Sequence, residues 1–174
     1  MVTLEALNPQ VLVANEPIVS LGGAETEFLK ERLRTGGLER VRICCHKSTS
    51  DSLHEMLMAF TDATYIRPSV HHDKDESLLF LEGFGTYFFF DEAGTITHQV
   101  PLGPLGSGRE FYCRIPAHTY HALLVESPRI LVKETASGPF APQATEFASW
   151  APDGTDAVAV AVYLDSLRQA RRHR

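Results

Sequence analysis

The sequence has few cysteines, no long hydrophobic run and no strong excess of charge of one sign. Among its 174 residues are three cysteines, Cys44, Cys45 and Cys113, and their spacing matches no cysteine-based metal motif. Cys44 and Cys45 are adjacent, so on a strand their side chains would point to opposite faces. The pattern favours buried reduced thiols; a disulfide or a reactive nucleophile is the alternative.

The charge balance argues against several classes of partner. Sixteen basic residues stand against 22 acidic ones, giving a formal charge of -6, and the only basic run is residues 171–174. Binding to nucleic acid or to a membrane surface is therefore disfavoured. No apolar run approaches the roughly 20 residues that a membrane span needs, and the first residues lack a signal-peptide pattern. We therefore expect a cytoplasmic protein.

The length and the hydrophobic content of 44% suit a single domain with one core. Residues 25–34 place Phe28, Leu29 and Leu33 on one face before two glycines, which predicts a short helix. A second helix is predicted at 156–171, where apolar residues recur at helical spacing and arginines occupy the C-terminal end.

Between the two helices the sequence changes to short β-prone runs bounded by turn-forming residues. These runs, interpreted together as about eight strands, are residues 41–46, 54–60, 64–70, 78–81, 86–90, 96–102, 111–115, 121–125 and 130–134. Many short strands in one domain indicate a closed barrel or a jelly roll, because such folds leave few exposed strand edges. We expect an N-terminal segment at 1–39, a barrel at 40–136, and at 137–174 an irregular strap, anchored by Trp150, followed by the helix.

One short stretch concentrates side chains that can bind a metal. Alternation along a strand places Arg67, Ser69 and His71 on one face and His72 on the other. Glu76 follows a predicted turn at 73–75, which can bring its carboxylate back beside His71. Further along the chain, Pro116 precedes a strand that begins near His121, which could supply a third ligand.

Two imidazoles and a carboxylate suit zinc, iron, manganese, nickel or copper, and three protein ligands leave positions open for water or substrate. His46, His54 and His98 have no other potential metal ligand at a motif-like spacing in the sequence, so we interpret them as surface or hydrogen-bonded residues. Arg67 on the His71 face would lie inside the barrel, where an unpaired guanidinium is costly. It would either pair with an internal carboxylate such as Glu134 or bind an anionic ligand.

The two stretches resemble the two conserved motifs of the cupins. The first motif, G-x5-H-x-H-x3,4-E-x6-G, matches at His71, Glu76 and Gly83, with Ser69 in place of its first histidine. The second, G-x5-P-x-G-x2-H-x3-N, matches at Pro116 and His121. Glu110, His118 and Val125 stand where the motif has glycine, glycine and asparagine.

More narrowly, the chain resembles the WbuC family of cupin-fold metalloproteins, which is associated with bacterial O-antigen and other surface-polysaccharide gene clusters. The likeness extends from about residue 40 to 150 and includes residues 42–46, 65–68, 74–76, Glu134 with 138–140, and 147–152. It implies a cupin (double-stranded β-helix) barrel that binds one divalent metal through His71, Glu76 and His121. Arg67, Ser69 and Glu134 are the expected ligand-binding residues.

Ser69 stands at a position where a cupin normally has one of its metal-binding histidines. Water held by Ser69 could fill that position. His72 and His118 are possible substitutes, but His72 is out of phase with the strand and His118 lies in a turn.

Three functions are compatible with these residues. The first is a metal-dependent enzyme acting on a small sugar-like or anionic substrate, with the metal as Lewis acid. The second is a non-catalytic small-molecule-binding or accessory protein, and the third is a degenerate cupin that serves as an interaction module. Catalytic residues are not identified by the sequence. A homodimer is plausible, through an edge strand or the N-terminal segment.

Overall fold

A computed structural model describes residues 2–172. Its two α-helices are α1 (Gly23–Gly36) and α2 (Ala157–Arg172), and a short 3-10 helix spans Pro142–Ala144. The twelve strands are β1 (Leu4–Asn8), β2 (Val11–Ala14), β3 (Arg40–Cys44), β4 (Leu53–Thr61), β5 (Ser69–His71), β6 (Glu76–Glu82), β7 (Gly85–Phe90), β8 (Ile96–Leu102), β9 (Tyr112–Ile115), β10 (Tyr120–Val125), β11 (Arg129–Ser137) and β12 (Thr145–Phe147).

The strands form two sheets whose order defines a jelly roll. The seven-stranded sheet runs β1-β2-β3-β4-β11-β6-β9, and the five-stranded sheet runs β12-β5-β10-β7-β8. The strands β4 to β11 divide four and four, as β4-β11-β6-β9 and β5-β10-β7-β8. This is the order of a double-sheet jelly roll, the architecture of cupins. The prediction of a mainly β, cupin-type barrel with one helix near each end is confirmed.

Apolar side chains pack between the two sheets and also on the outer face of each sheet. Inside the barrel, Met58, Phe80 and Val132 belong to one buried cluster. Helix α1 packs Leu29 and Leu33 against the outer face of the seven-stranded sheet. The bounds of both helices differ from the predicted ones by no more than two residues.

Helix α2 covers the outer face of the five-stranded sheet. Leu164 and Leu167 pack with Phe88 and Phe90, two buried aromatic residues of β7. Across the described residues 2–172, no helix has the length and apolar character to cross a membrane.

Two predicted segments differ from the structure. Of residues 64–70, only Ser69–His71 is a strand, and the preceding residues are irregular. Pro68 explains this because it lacks an N–H donor and biases the residue before it away from regular pairing, although its carbonyl still accepts a hydrogen bond from Ala148 N at 2.9 Å. The strap 138–152 is not wholly irregular either, since β12 lies in it and pairs with β5.

The strap is held by its aromatic residue and by this short strand. The Trp150 ring centroid lies 4.9 Å from that of Phe90 and 6.1 Å from that of Tyr120. The segment before α1, for which no strand was predicted, forms β1 and β2, and β2 pairs with β3 in parallel. Residues 2–172 thus contain twelve strands, and nine of them, β3 to β11, lie in the segment where about eight were predicted.

The three thiols are free. Burial raises the pKa of Cys44 and of Cys45, and it raises the pKa of Cys113 to about 11. All three therefore stay protonated near neutral pH, which disfavours nucleophilic chemistry at these residues.

Candidate metal centre

Strand β5 carries the first candidate ligand. Ser69 and His71 both line a cavity of about 560 Å³ inside the barrel, as the alternation of the strand predicts. His72 points outward instead: its half-exposed side chain contacts Glu146 at 3.1 Å and His118 at 3.2 Å. The structure therefore places His72 and His118 together on the surface, away from the cavity.

The second and third candidate ligands come from the strands on either side of the barrel. Glu76 begins β6 after the residues 72–75, which form no strand, and its side chain is 7% exposed. His121 lies on β10, where its Cα is paired with that of Ser69 across the β5–β10 ladder. Before it, the turn between β9 and β10 contains His118, whose φ of 63° is left-handed.

The nitrogen and oxygen donors of these three residues converge. His121 Nε2 lies 2.9 Å from Glu76 Oε1, and His71 Nε2 lies 3.4 Å from Glu76 Oε2. One donor atom from each residue falls within 4.8 Å of the others. Within the described part of the chain, no other group of three histidine, cysteine, aspartate or glutamate side chains meets this test.

Each histidine is oriented through its other ring nitrogen. His121 Nδ1 donates to the carbonyl oxygen of Thr119 at 2.8 Å. His71 Nδ1 lies 2.9 Å from the Thr145 hydroxyl on β12. Metal-binding histidines are usually held in this way, because a hydrogen bond at one nitrogen fixes the ring and leaves the other nitrogen for the ion.

The protonation of the three residues suits cation binding. Burial, with the nearby charge of Lys74, lowers the pKa of His71 to about 4, so its imidazole is neutral at pH 7. Burial opposes ionisation of Glu76, but the hydrogen bond from His121 and the positive charges around it lower its pKa overall. The pKa of His121 is raised, since its bond to Glu76 outweighs its burial. A metal ion would have to displace a proton from His121, because a histidine binds a metal through an unprotonated nitrogen.

The donor set fits a divalent transition metal. Two donors bound at about 2.0–2.2 Å to one ion can be no farther apart than about 4.4 Å, so small side-chain shifts suffice to bring the three donors around a metal. Lys74 Nζ contacts Glu76 Oε2 at 3.2 Å and competes for that oxygen. Two imidazoles and one carboxylate are ligands for zinc, iron, manganese, nickel and copper, so they do not identify the metal.

Arg67 lines the same cavity, and Glu134 is not its partner. Its guanidinium donates to the carbonyl oxygen of Ala148 at 2.9 Å and lies 5.2 Å from the ring centroid of Phe147. Its Nε is buried without a hydrogen-bond partner. Among residues 2–172 it forms no ion pair, so of the two expected arrangements the internal pair with Glu134 is absent.

Glu134 lies on β11 and lines the cavity from the opposite sheet. Enclosure by the barrel, followed by the charge of Glu76, raises the pKa of Glu134 to about 7. A carboxyl group with this pKa can both donate and accept a proton at neutral pH.

Several residues around the centre were not found from the sequence. Lys74 lies within the predicted ligand stretch, so its proximity to Glu76 could have been expected. Thr145 and Tyr87 could not: Thr145 reaches His71 only through the β5–β12 pairing, and the ring centroid of Tyr87 lies 5.9 Å from that of His121 across β7 and β10.

The hydrogen bond from Thr145 gives a test of how the site is supported. Replacing Thr145 with valine keeps the side-chain shape but removes the acceptor for His71 Nδ1, so we expect metal affinity to fall by about tenfold. A competition titration against a chromophoric chelator would measure it. Thr119→Val is the matched control, because Thr119 supports His121 through its carbonyl oxygen. Equal affinities in the two variants would contradict the prediction.

Comparisons with known proteins give little beyond the fold. A domain of unknown function, DUF6016, matches residues 31–102, which is less than half of the chain. No curated protein matches.

Similar solved structures include protein SO0799 from Shewanella oneidensis, at 15% identity over 59% of this chain and 66% of that one, with a TM-score of 0.48. The capsular polysaccharide assembling protein CapF from Staphylococcus aureus is 17% identical over 62% of this chain and 31% of its own, with a TM-score of 0.47. A cupin superfamily protein from Desulfitobacterium hafniense is 20% identical over 56% and 76%, with a TM-score of 0.44. The chain thus spans less than two thirds of the first two proteins, and the fold assignment rests on the strand order.

Proposed function

We propose that this chain is a cupin-fold metalloprotein that holds one divalent metal ion through His71, Glu76 and His121. The observation that carries the proposal is the convergence of three buried donors, from β5, β6 and β10, inside the barrel. The two histidines are already oriented with their Nε2 atoms toward the carboxylate. Three protein ligands leave coordination positions for water or a substrate.

Metal analysis of protein purified without a histidine tag tests this proposal. We expect about one equivalent of a divalent transition metal per chain, either as isolated or after incubation with zinc and dialysis. Protein that remains folded but retains no metal after both treatments would show that the three residues serve only as an internal hydrogen-bonded cluster.

We propose further that the ligand is a small sugar-like or anionic metabolite of bacterial surface-polysaccharide biosynthesis. The resemblance of the sequence to the WbuC family supports the pathway, and the cavity supports the size and charge. The cavity of about 560 Å³ falls within the range typical of small-molecule sites. Arg67 lines it with its guanidinium free of any ion pair among the described residues.

As an enzyme, the protein would use the metal as a Lewis acid on a carbonyl or hydroxyl oxygen of the ligand. Arg67 would hold an anionic group of the ligand, and Glu134, on the opposite sheet, would give or take a proton. The barrel wall, with Tyr87 and Leu123 among its lining residues, would limit access of water.

The role of Arg67 can be separated from that of the metal ligands. Replacing Arg67 with alanine is expected to weaken binding of a sugar phosphate by about tenfold or more, because a charge-assisted hydrogen bond is lost, while the metal content stays unchanged. Thermal-shift titration and metal analysis of the same preparation would measure both. Arg129→Ala, at an exposed position at the start of β11, is the control. Unchanged affinity in Arg67→Ala would remove Arg67 from the ligand site.

The alternative function is a non-catalytic small-molecule-binding protein or a degenerate cupin serving as an accessory module. It would use the same cavity, and the metal would be structural or absent. Incubation of metal-loaded protein with the sugars and sugar phosphates that stabilise it, followed by product analysis, distinguishes the two. If the ligand is recovered unchanged after prolonged incubation with the metal-loaded protein, the accessory role is favoured.

We also propose that the chain forms a homodimer. The outermost strands of the seven-stranded sheet, β1 and β9, each have one edge at which a second copy could add a strand. Tyr112 on β9 and the neighbouring Phe111 are exposed aromatic residues at one of these edges. Light scattering at micromolar concentration would give twice the mass of the 19.3 kDa chain, and a monomer mass would contradict this.

A further inference from the structure

A second, smaller cavity lies beside the metal cavity. It has a volume of about 230 Å³ and is reached where β3 ends and β4 begins. Three residues, Arg42, Lys74 and Glu134, line both cavities and form the wall between them. The two cavities are therefore adjacent and share these side chains, but none of the three candidate metal ligands lines the second cavity.

Cationic side chains outnumber carboxylates in the lining of the second cavity. Its cationic side chains are Arg42, Lys47 and Lys74, its imidazoles are His46 and His54, and Glu134 is the one carboxylate among the described residues that line it. Hydroxyl groups of Ser48 and Thr49 complete the polar part of the wall. A cavity with this balance attracts an anion.

Two of the three cationic side chains, Lys47 and Lys74, are held by neighbouring oxygens, and the third, Arg42, has a nitrogen without a partner. Lys47 Nζ donates to the carbonyl oxygens of Ala14 and Glu16, and Lys74 Nζ contacts Glu76. Arg42 forms no ion pair with any residue that the structure describes, and its Nε is buried without a hydrogen-bond partner. A buried guanidinium nitrogen without an acceptor is costly, and an anionic ligand would relieve this cost.

The histidine pair provides a second, independent observation. His46 and His54 stack with ring centroids 4.1 Å apart and planes inclined by 11°. His54 is 6% exposed, and its Nε2 has no hydrogen-bond partner. Buried polar atoms are nearly always hydrogen-bonded, so this nitrogen marks a place where a partner is missing. His46 Nδ1 lies 3.3 Å from the carbonyl oxygen of Glu55, so His46 supports the ring of His54, and the donors suited to a phosphate are His54 Nε2 and the Arg42 guanidinium.

We propose that the second cavity is an anion subsite that binds a phosphate group through Arg42 and His54, with His46 stacked beside His54. Its volume equals that of about eight water molecules, which is room for a phosphate but not for a complete sugar phosphate. The phosphate is either free or the terminal group of a ligand whose remaining part extends past Arg42 toward the metal cavity. The proposal deepens the proposed function by naming phosphate as the anionic group, yet it needs no bound metal.

An NMR titration of metal-free protein tests the subsite without relying on activity. Inorganic phosphate and glucose 1-phosphate are added separately, and the imidazole resonances of His46 and His54 are followed, with His98, an exposed residue of β8, as reference. We expect the first two to shift saturably while His98 does not move. Shifts with both probes, or with inorganic phosphate alone, support a free-phosphate site, and shifts with the ester alone support a phosphate ester.

A matched pair of variants locates the site. Arg42→Gln is expected to weaken the effect of phosphate on His46 and His54 by about tenfold or more. Arg40→Gln, two residues earlier on β3 and lining only the metal cavity, is expected to leave it unchanged. If Arg42→Gln does not fold, His54→Gln, followed at His46, replaces it.

Two results would overturn the proposal. The first is that neither probe moves His46 or His54, whether or not His71 and His121 respond. The second is that the Arg40 and Arg42 variants weaken binding equally. Metal content is measured separately on the same samples, so a failure of the subsite is distinct from a failure of the metal proposal.

Discussion

Replacing His121 with alanine is expected to abolish stoichiometric metal binding. His121 is 6% exposed at the centre of the five-stranded sheet, and its Nε2 is 2.9 Å from Glu76. Without it, His71 and Glu76 are the only remaining ligands, and two protein ligands rarely retain a transition metal against dialysis. The expected content falls from about one equivalent per chain to a trace, which mass spectrometry of the metal after dialysis would measure.

His118→Ala is the matched control for this variant. His118 is three residues away, exposed, and part of the outward-facing group with His72. We expect it to leave the metal content unchanged. Since loss of a buried side chain also creates a cavity, thermal unfolding must show that His121→Ala is folded at the temperature of the assay. A folded His121→Ala protein with one equivalent of metal would show that His121 is not a ligand.

The sequence was sufficient for the parts of the molecule that depend on local pattern. Short apolar runs separated by turns predicted most strands, and Asp91 caps the β7–β8 hairpin by accepting hydrogen bonds from the backbone N–H groups of Ala93 and Thr95 at 3.0 and 2.8 Å. Strand alternation correctly placed Ser69 and His71 on the cavity side and His72 outside. These features follow from residues that are near one another in sequence.

Features that depend on distant pairing were not predictable in this way. Strand β12 has three residues and is formed only because it lies against β5, about 75 residues earlier, with Thr145 opposite His71. The second cavity likewise requires β3, β4 and β11 to be adjacent, so the stacking of His46 on His54 was not predictable from the sequence. Pro68 shows a different cause. The β-prone run 64–70 pairs only at its end, because proline has no N–H group to donate to a neighbouring strand.

The arrangement of the strands also explains why Ser69 is the key departure from the cupin motif. Its Cα is opposite that of His121 in the β5–β10 ladder, and its side chain lines the metal cavity with 8% exposure. A residue at this position therefore points toward the same space as the three candidate ligands. Serine is a weak ligand for a borderline metal, so the site is limited to two nitrogens and one carboxylate.

Replacing Ser69 with histidine is expected to tighten metal binding by about tenfold or more, which is a gain of at least about 1.4 kcal/mol. The new imidazole would extend from the face that already carries His71, into a cavity of about 560 Å³, and would add a fourth protein ligand. Chelator competition with zinc would measure the affinity of the variant and the original protein side by side.

His72→Ala serves as the comparison for Ser69→His. His72 is adjacent to His71 but contacts His118 and Glu146 on the outer surface, so its loss is expected to leave zinc affinity unchanged. Ser69→Ala gives the second reference, because it removes the hydroxyl without adding a ligand. If Ser69→His has no effect on affinity while His72→Ala destroys binding, then the ligands face the other side of β5 and the set His71, Glu76 and His121 is wrong.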